Sequence, residues 1–183
     1  GWFTGGAYDP QKVYDDYLAV LKLYAREGYA KARLDEVSLE EWGDKGKEVV
    51  RRSAEFDEAN KRIILKFSVD EGVKYRLSSL AITGNTLFSE AELKDRMDSD
   101  TDKFFNQDKW EADLQRLQSG YAEKGYIYAN VTPEYQWDAS TGEVKVKLSI
   151  KEASKAYIED IRIRGNDVTK DKVIRRMITL KPG

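Results

Sequence analysis

Apolar positions recur along two stretches of the chain with the spacing of one helix face. Val13, Tyr17, Val20 and Tyr24 stand at i, i+4, i+7 and i+11, and Trp110, Leu114, Leu117 and Tyr121 repeat that spacing 97 positions later. Each stretch predicts an amphipathic helix of about eighteen residues facing a core. Asp9 with Pro10 behind it has the chemistry of an N-cap and a first helical position, and Asn106 holds the equivalent place. Gly28 and Gly125 stand where a left-handed residue ends each helix, within a Tyr-Ala-x-x-Gly-Tyr run shared by 24–29 and 121–126.

Elsewhere the period falls to two. Leu80 and Ile82, and again Ile161 and Ile163, alternate with other residues and run into Gly84-Asn85 and Gly165-Asn166, so each copy predicts a strand closed by a turn. These copies lie 81 positions apart, and the match extends back to Phe67 and Val69 against Leu148 and Ile150. Ser89 with Glu92 reads as a capping box for a short helix through Arg96, and Thr169 caps another through Val173, Ile174 and Met177. Two further strands, 129–136 and 143–151, flank a turn at 139–142, and 57–60 marks an earlier hairpin. The two repeat lengths differ by about sixteen residues, which places an insertion in the polar stretch 38–47, around Gly43 and Gly46.

Assembled, the pattern gives a repeated strand-helix-helix-strand-strand unit. One complete copy occupies 73–152, residues 1–72 hold the second half of a copy (long helix, insertion, hairpin), and 153–183 hold the first strand and helix of another. Near Gly72 and Glu152 one copy's last strand passes almost directly into the next copy's first, with hardly any linker.

Composition narrows the chemistry. The 31 basic and 33 acidic residues nearly cancel, so no long-range field favours nucleic acid. The chain has no cysteine and no histidine, which removes disulfides, thiolate chemistry, most zinc sites and the commonest general base. No carboxylate pair stands out among the scattered acids as a catalytic one. The alternating acids of 98–102 begin like a calcium loop, but Lys103 and Lys109 stand where that loop needs glycine and glutamate, so a solvated acidic loop is the better reading. An RNA-binding β-α-α-β module is set aside because no G-x-x-G loop or basic stripe accompanies the helices. The expectation is no catalytic residue, no metal, no cofactor and no nucleic acid. No stretch approaches the roughly 18 apolar residues of a membrane helix, which predicts a soluble fragment.

The order and spacing of these elements resemble tandem POTRA domains, the polypeptide-transport-associated modules, and most closely those of a BamA-type outer-membrane protein assembly factor. The likeness is carried by Ile82-Thr83-Gly84-Asn85, by Ile163-Arg164-Gly165-Asn166, by the two Tyr-Ala-x-x-Gly-Tyr helix ends and by Leu180-Lys181-Pro182-Gly183. It implies an α+β fold in which each module has a three-stranded mixed sheet. The first strand pairs parallel with the third, the second lies at the edge, and both helices cover one face. In two respects the chain departs from the family: 98–102 stands where a Pro-Gly loop is usual, which predicts a longer or looser connection between the two helices, and the insertion of about sixteen residues at 38–47 exceeds the minimal pattern.

The resemblance further implies a periplasmic place at the outer membrane, with unfolded outer-membrane proteins, accessory assembly lipoproteins and a C-terminal β-barrel of the same protein as partners. An exposed sheet edge offers unpaired backbone groups for strand addition, and the predicted docking edge is Ala129, Asn130, Val131, Thr132, Glu134, Tyr135 and Gln136, with Pro133 removing one donor. Gly84, Asn85, Gly165, Asn166, Gly28 and Gly125 are assigned to turns and helix ends. The complementary part-modules at the two ends also imply head-to-tail self-association of the fragment. The alternatives are a rigid spacer that orients a barrel and its lipoproteins, or a relative serving two-partner secretion or organelle import.

Overall fold

The computed structural model describes residues 7–165 and 170–177. Helix α1 (Pro10–Arg26) opens on Asp9, whose carboxylate accepts the N–H groups of Gln11 and Lys12 at 3.0 and 3.4 Å. Its buried stripe is Val13, Tyr17, Leu21 and Ala25, rotated by one residue from the predicted line at its C-terminal end. Strands β1 (Arg33–Leu34) and β2 (Val37–Ser38) form a tight antiparallel pair. Helix α2 (Trp42–Ser53), the antiparallel hairpin β3 (Ala54–Asp57) with β4 (Arg62–Leu65), and β5 (Val69–Asp70) follow. The strand expected through Phe67 and Val69 does not continue the hairpin that turns at 57–60, because β4 pairs with β3 while β5 pairs with β1.

The insertion is more ordered than its polar composition suggests. Trp42, Val49 and Val50 lie on one face of α2 and share a core with Val13, Tyr17, Leu21 and Leu34. Gly46 is needed there, because a Cβ would come within 2.4 Å of the Trp42 ring. The Tyr17 and Ser53 hydroxyls, both buried, meet at 3.1 Å and fix α1 against the end of α2.

Strand β6 (Arg76–Thr83), helices α3 (Glu90–Lys94) and α4 (Gln107–Glu123), and strands β7 (Asn130–Asp138) and β8 (Glu143–Lys151) make the next body, and α5 (Asp171–Met177) comes last. The sheet order is β6-β8-β7, with β6 parallel and β7 antiparallel to β8. A parallel pair needs a long crossover, which α3 and α4 supply. Leu77, Leu80 and Ile82 of β6 and Val144, Val146, Leu148 and Ile150 of β8 point to one face, where Leu93 of α3 and Trp110, Leu117 and Tyr121 of α4 cover them. This is the α+β arrangement of a three-stranded mixed sheet with both helices on one face. Ser89 and Glu92 close the expected capping box, although α3 ends at Lys94, earlier than Arg96. Asn106 caps α4 through the Lys109 N–H at 3.0 Å.

The loop joining α3 to α4 is not loose. Asp113, fully buried on α4, accepts the N–H groups of Asp98 and Ser99 at 2.8 Å each and an ion pair from Arg116 at 2.7 Å. Arg116 also holds Asp98 at 2.7 Å, so the acids of this loop serve its own conformation.

The predicted strand at 161–164 has no regular secondary structure. Its counterpart β6 is a strand because β8 pairs with it, and the described residues contain no equivalent of β8 beyond residue 153. Asn166, Thr169 and 180–183 lie outside the described residues.

Candidate functional site

The sheet of β6, β8 and β7 has two margins. That of β6 is partly covered at its start, where Asp102 N–H donates to Leu77 O at 2.7 Å, Leu77 N–H to Lys103 O at 2.9 Å, and Phe105 N–H to Tyr75 O at 2.9 Å. Strand β7 has β8 on one side and, among the described residues, no strand on the other. Among the described residues β7 is therefore the margin without a neighbouring strand along its whole length, whereas β6 is covered only at its start.

Its side chains alternate between two environments, as the pleat requires. Val131 and Trp137 pack on the core. Tyr135 accepts a hydrogen bond from Trp110 Nε1 at 2.7 Å and stacks on Trp137 with ring centroids 5.6 Å apart. Phe105 and Tyr75 meet Trp137 edge-on at 5.4 and 4.8 Å, giving a row of rings beside the edge. Burial pushes the Tyr135 hydroxyl up, against the lowering effect of the bond from Trp110. On the other face Thr132, Glu134 and Gln136 stand opposite Ser149, Lys147 and Lys145 of β8.

The strand starts one residue later than the sequence pattern places it and runs two residues further. Ala129 is buried just ahead of it, its N–H given to Tyr126 O at 3.0 Å and its carbonyl taken by the Gln118 side chain. Both its backbone groups are occupied, so it has nothing to offer a docked strand. Asn130, Val131, Thr132, Glu134, Tyr135 and Gln136 all lie in β7, with Pro133 opposite Leu148. Trp137 and Asp138 extend the edge beyond the sequence reading, which stopped at Gln136.

Each long helix is tied to the end of its last strand by the same pair. The Tyr121 hydroxyl donates to Glu152 at 3.0 Å, and at the corresponding place the Glu71 carboxylate pushes the Tyr24 hydroxyl up. Glu152 also accepts the N–H groups of Thr86 and Leu87 at 2.6 and 2.8 Å and the Thr86 hydroxyl, binding the turn after β6 to the end of β8. Gly84 (φ +81°) lets that turn approach Ile150, and Asn85 closes it through its side-chain amide to Phe88 O at 2.9 Å.

Partial burial pushes the Glu152 carboxyl up, but the donors from Thr86, Leu87 and Tyr121 outweigh it and hold the group at about 2, against 4.5 for an ordinary glutamate. A carboxylate depressed on folding contributes stability that is fully present above its unfolded value and is lost as pH falls through its folded value. Between about pH 4.5 and 2 the wild-type chain should therefore lose roughly 1–2 kcal/mol relative to Glu152→Gln, allowing for solvent screening. Acid unfolding of the two proteins followed by circular dichroism checks this; parallel curves would rule it out.

The junctions are also built alike. Tyr75 N–H donates to Gly28 O, and Ala156 N–H to Gly125 O, each at 2.8 Å. Lys74 packs on Gly28 and Lys155 on Gly125, and both glycines have positive φ. The first junction has charged contacts besides: Arg26 with Asp108 at 2.7 Å, Lys74 over Phe104 at 4.1 Å, and Lys31 over Trp137 at 4.9 Å. Gly165 likewise has positive φ. Asp113, Glu152 and the junction lysines had no distinguishing signal in the sequence beyond the repeat lengths themselves.

Comparison with known proteins agrees with this architecture. Residues 75–153 match the POTRA family model, described as surface antigen variable number repeat. A Treponema pallidum (strain Nichols) protein named for outer membrane protein assembly is 30% identical over 182 residues, covering 100% of this chain and 20% of that protein. Outer membrane protein assembly factor BamA of Neisseria meningitidis serogroup B is 27% identical over 177 residues, covering 96% of this chain and 20% of the relative. The chain thus spans about a fifth of the length of these relatives. Among solved structures, POTRA domains 3–5 of Haemophilus influenzae BamA superpose with a TM-score of 0.69 at 19% identity, covering 99% of this chain and 66% of that one, a likeness of fold.

Proposed function

We propose, on the premise that residues 75–153 are a POTRA domain, that this chain is part of the periplasmic region of an outer-membrane protein assembly factor and binds unfolded outer-membrane polypeptides by strand addition at β7. The observation that carries this reading is the open side of β7 in a sheet whose other margin is partly covered. Backbone pairing tolerates many sequences, and the row Tyr135–Trp137 beside the edge gives apolar side chains of a docked strand somewhere to sit. Pro133 offers no N–H, which limits how long a ladder the edge can form and guards it against self-pairing. The docking residues are then Asn130, Val131, Thr132, Glu134, Tyr135 and Gln136, with Trp137 and Asp138.

In this reading residues 1–72 and 153–183 are parts of neighbouring modules, the protein carries a C-terminal β-barrel, and accessory lipoproteins bind elsewhere on the array. The names of the relatives support the assembly role. Titrating the labelled chain with an extended barrel-strand peptide should shift the amides of 130–138, and Tyr135→Ala should weaken binding about tenfold, roughly 1.4 kcal/mol. Shifts confined to α3 and α4 would overturn the docking site.

A second reading, a spacer that fixes the angle between modules, is favoured by the direct bonds at the junction, Tyr75 N–H to Gly28 O and Arg26 to Asp108. It predicts that substitutions at the junction, and not on β7, abolish assembly.

A further inference from the structure

The backbone after each long helix follows one course. Tyr29 N–H donates to Tyr24 O and Ala32 N–H to Tyr29 O; Tyr126 N–H donates to Tyr121 O and Ala129 N–H to Tyr126 O, all between 2.9 and 3.0 Å. The opening of the following segment then returns to the same helix-end glycine carbonyl in both places. With the turn and the returning segment bonded alike, Ala30 and Lys31 correspond to Ile127 and Tyr128.

What the first pair does is visible. Ala30 packs against the core of the body that follows it, and the Lys31 ammonium lies over Trp137 of that body's hairpin while pairing with Glu40 at 2.9 Å. The second pair is 53% and 73% exposed, a contiguous apolar step at the end of α4.

We infer that Ile127 and Tyr128 are the docking surface for the hairpin of a following module, the continuation of the chain whose opening segment returns to Gly125. This rests on the reading of residues from 153 onward as the start of such a module. Ile127 meets its core where Ala30 meets that of 73–152, and Tyr128 lies across the hairpin residue that corresponds to Trp137. The surface changes character between the two junctions. A small residue and a cation at the first become a branched aliphatic and an aromatic at the second, so the partner hairpin presents apolar or aromatic side chains. Burial replaces ionic contacts, and the second junction is less sensitive to salt than the first, with its Arg26–Asp108 pair.

The test compares the 183-residue chain with a longer one that continues through the whole following module. Hydroxyl-radical footprinting should label Tyr128 readily in the shorter chain and at least fivefold less in the longer one, with Phe56, 64% exposed, as the unchanged reference. In the longer chain Tyr128→Asp combined with Ile127→Asp should broaden the distance distribution between spin labels on the two modules, while peptide binding at β7 is retained. Equal labelling of Tyr128 in both chains overturns the inference. So does protection of Tyr128 in the shorter chain by a barrel-strand peptide, which would assign the step to client binding. Loss of peptide binding by the unsubstituted chain would sink only the docking role of β7.

Discussion

Asp113→Ala should lower the unfolding free energy by about 3 kcal/mol, because a buried carboxylate that is the acceptor of two loop N–H groups is lost. The Asp113 carboxylate is fully buried and takes the N–H groups of Asp98 and Ser99, one on each oxygen. Alanine leaves both donors without an acceptor, at about 1–3 kcal/mol each where water cannot replace it. Arg116 is half exposed and keeps Asp98, so its charge is not stranded and the cost stays below that of a fully buried broken pair. The local consequence should be larger than the global one. The segment 102–105 pairs with the start of β6 only while the loop holds its shape, so amides of 98–105 should exchange first in hydrogen-exchange measurements. Urea unfolding gives the free energy, and a change within 0.5 kcal/mol of wild type would show that the loop is held by other means.

Gly84→Ala should be at least as damaging, by about 3 kcal/mol or more. A Cβ on residue 84 would lie 2.1 Å from the carbonyl oxygen of Ile150, and φ is +81°, where an L side chain is itself strained. The obstacle is backbone of the central strand β8, so relief requires the turn to move away and Glu152 to release Thr86 and Leu87. Thermal unfolding should show the midpoint falling by roughly 10 °C or more. Asn85→Ala, which removes one side-chain bond to Phe88 O, is the milder comparison. Equal midpoints for Gly84→Ala and wild type would contradict the close approach.

Much of this fold is legible because it rests on local rules. The caps at Asp9, Ser89 and Asn106, the helix spacing from Val13 and Trp110, and the alternation in β6 and β8 each follow from side chains within a few positions of one another. The parallel β6–β8 pairing was legible only through the resemblance to POTRA domains, and the two helices between the strands supply the crossover it needs. What escaped depends on groups far apart in sequence. Trp42 buries itself on α1 although glycines at 43 and 46 make its surroundings read as loop. Asp113 is one acid among 33 until the loop folds onto it. At the β7 edge the sequence placed the strand but not its limit: the Ala129 carbonyl is taken by Gln118, a residue of α4. The 161–164 segment shows the converse, a strand pattern that carries no regular secondary structure.

The parallel pairing of β6 with β8 has a bearing on how such a chain comes into being. Arg76 and Glu143, which face each other in the sheet, are separated by 67 residues, and everything between them must be threaded before the pair can close. A polypeptide delivered from its N-terminus thus presents β6 long before β8 exists, with Leu80 and Ile82 uncovered in the interval. The β3–β4 hairpin, closed within a few residues, has no such delay. The body built on β6 and β8 therefore spends part of its own synthesis as an unsatisfied strand, in the same condition as the polypeptides it is proposed to receive.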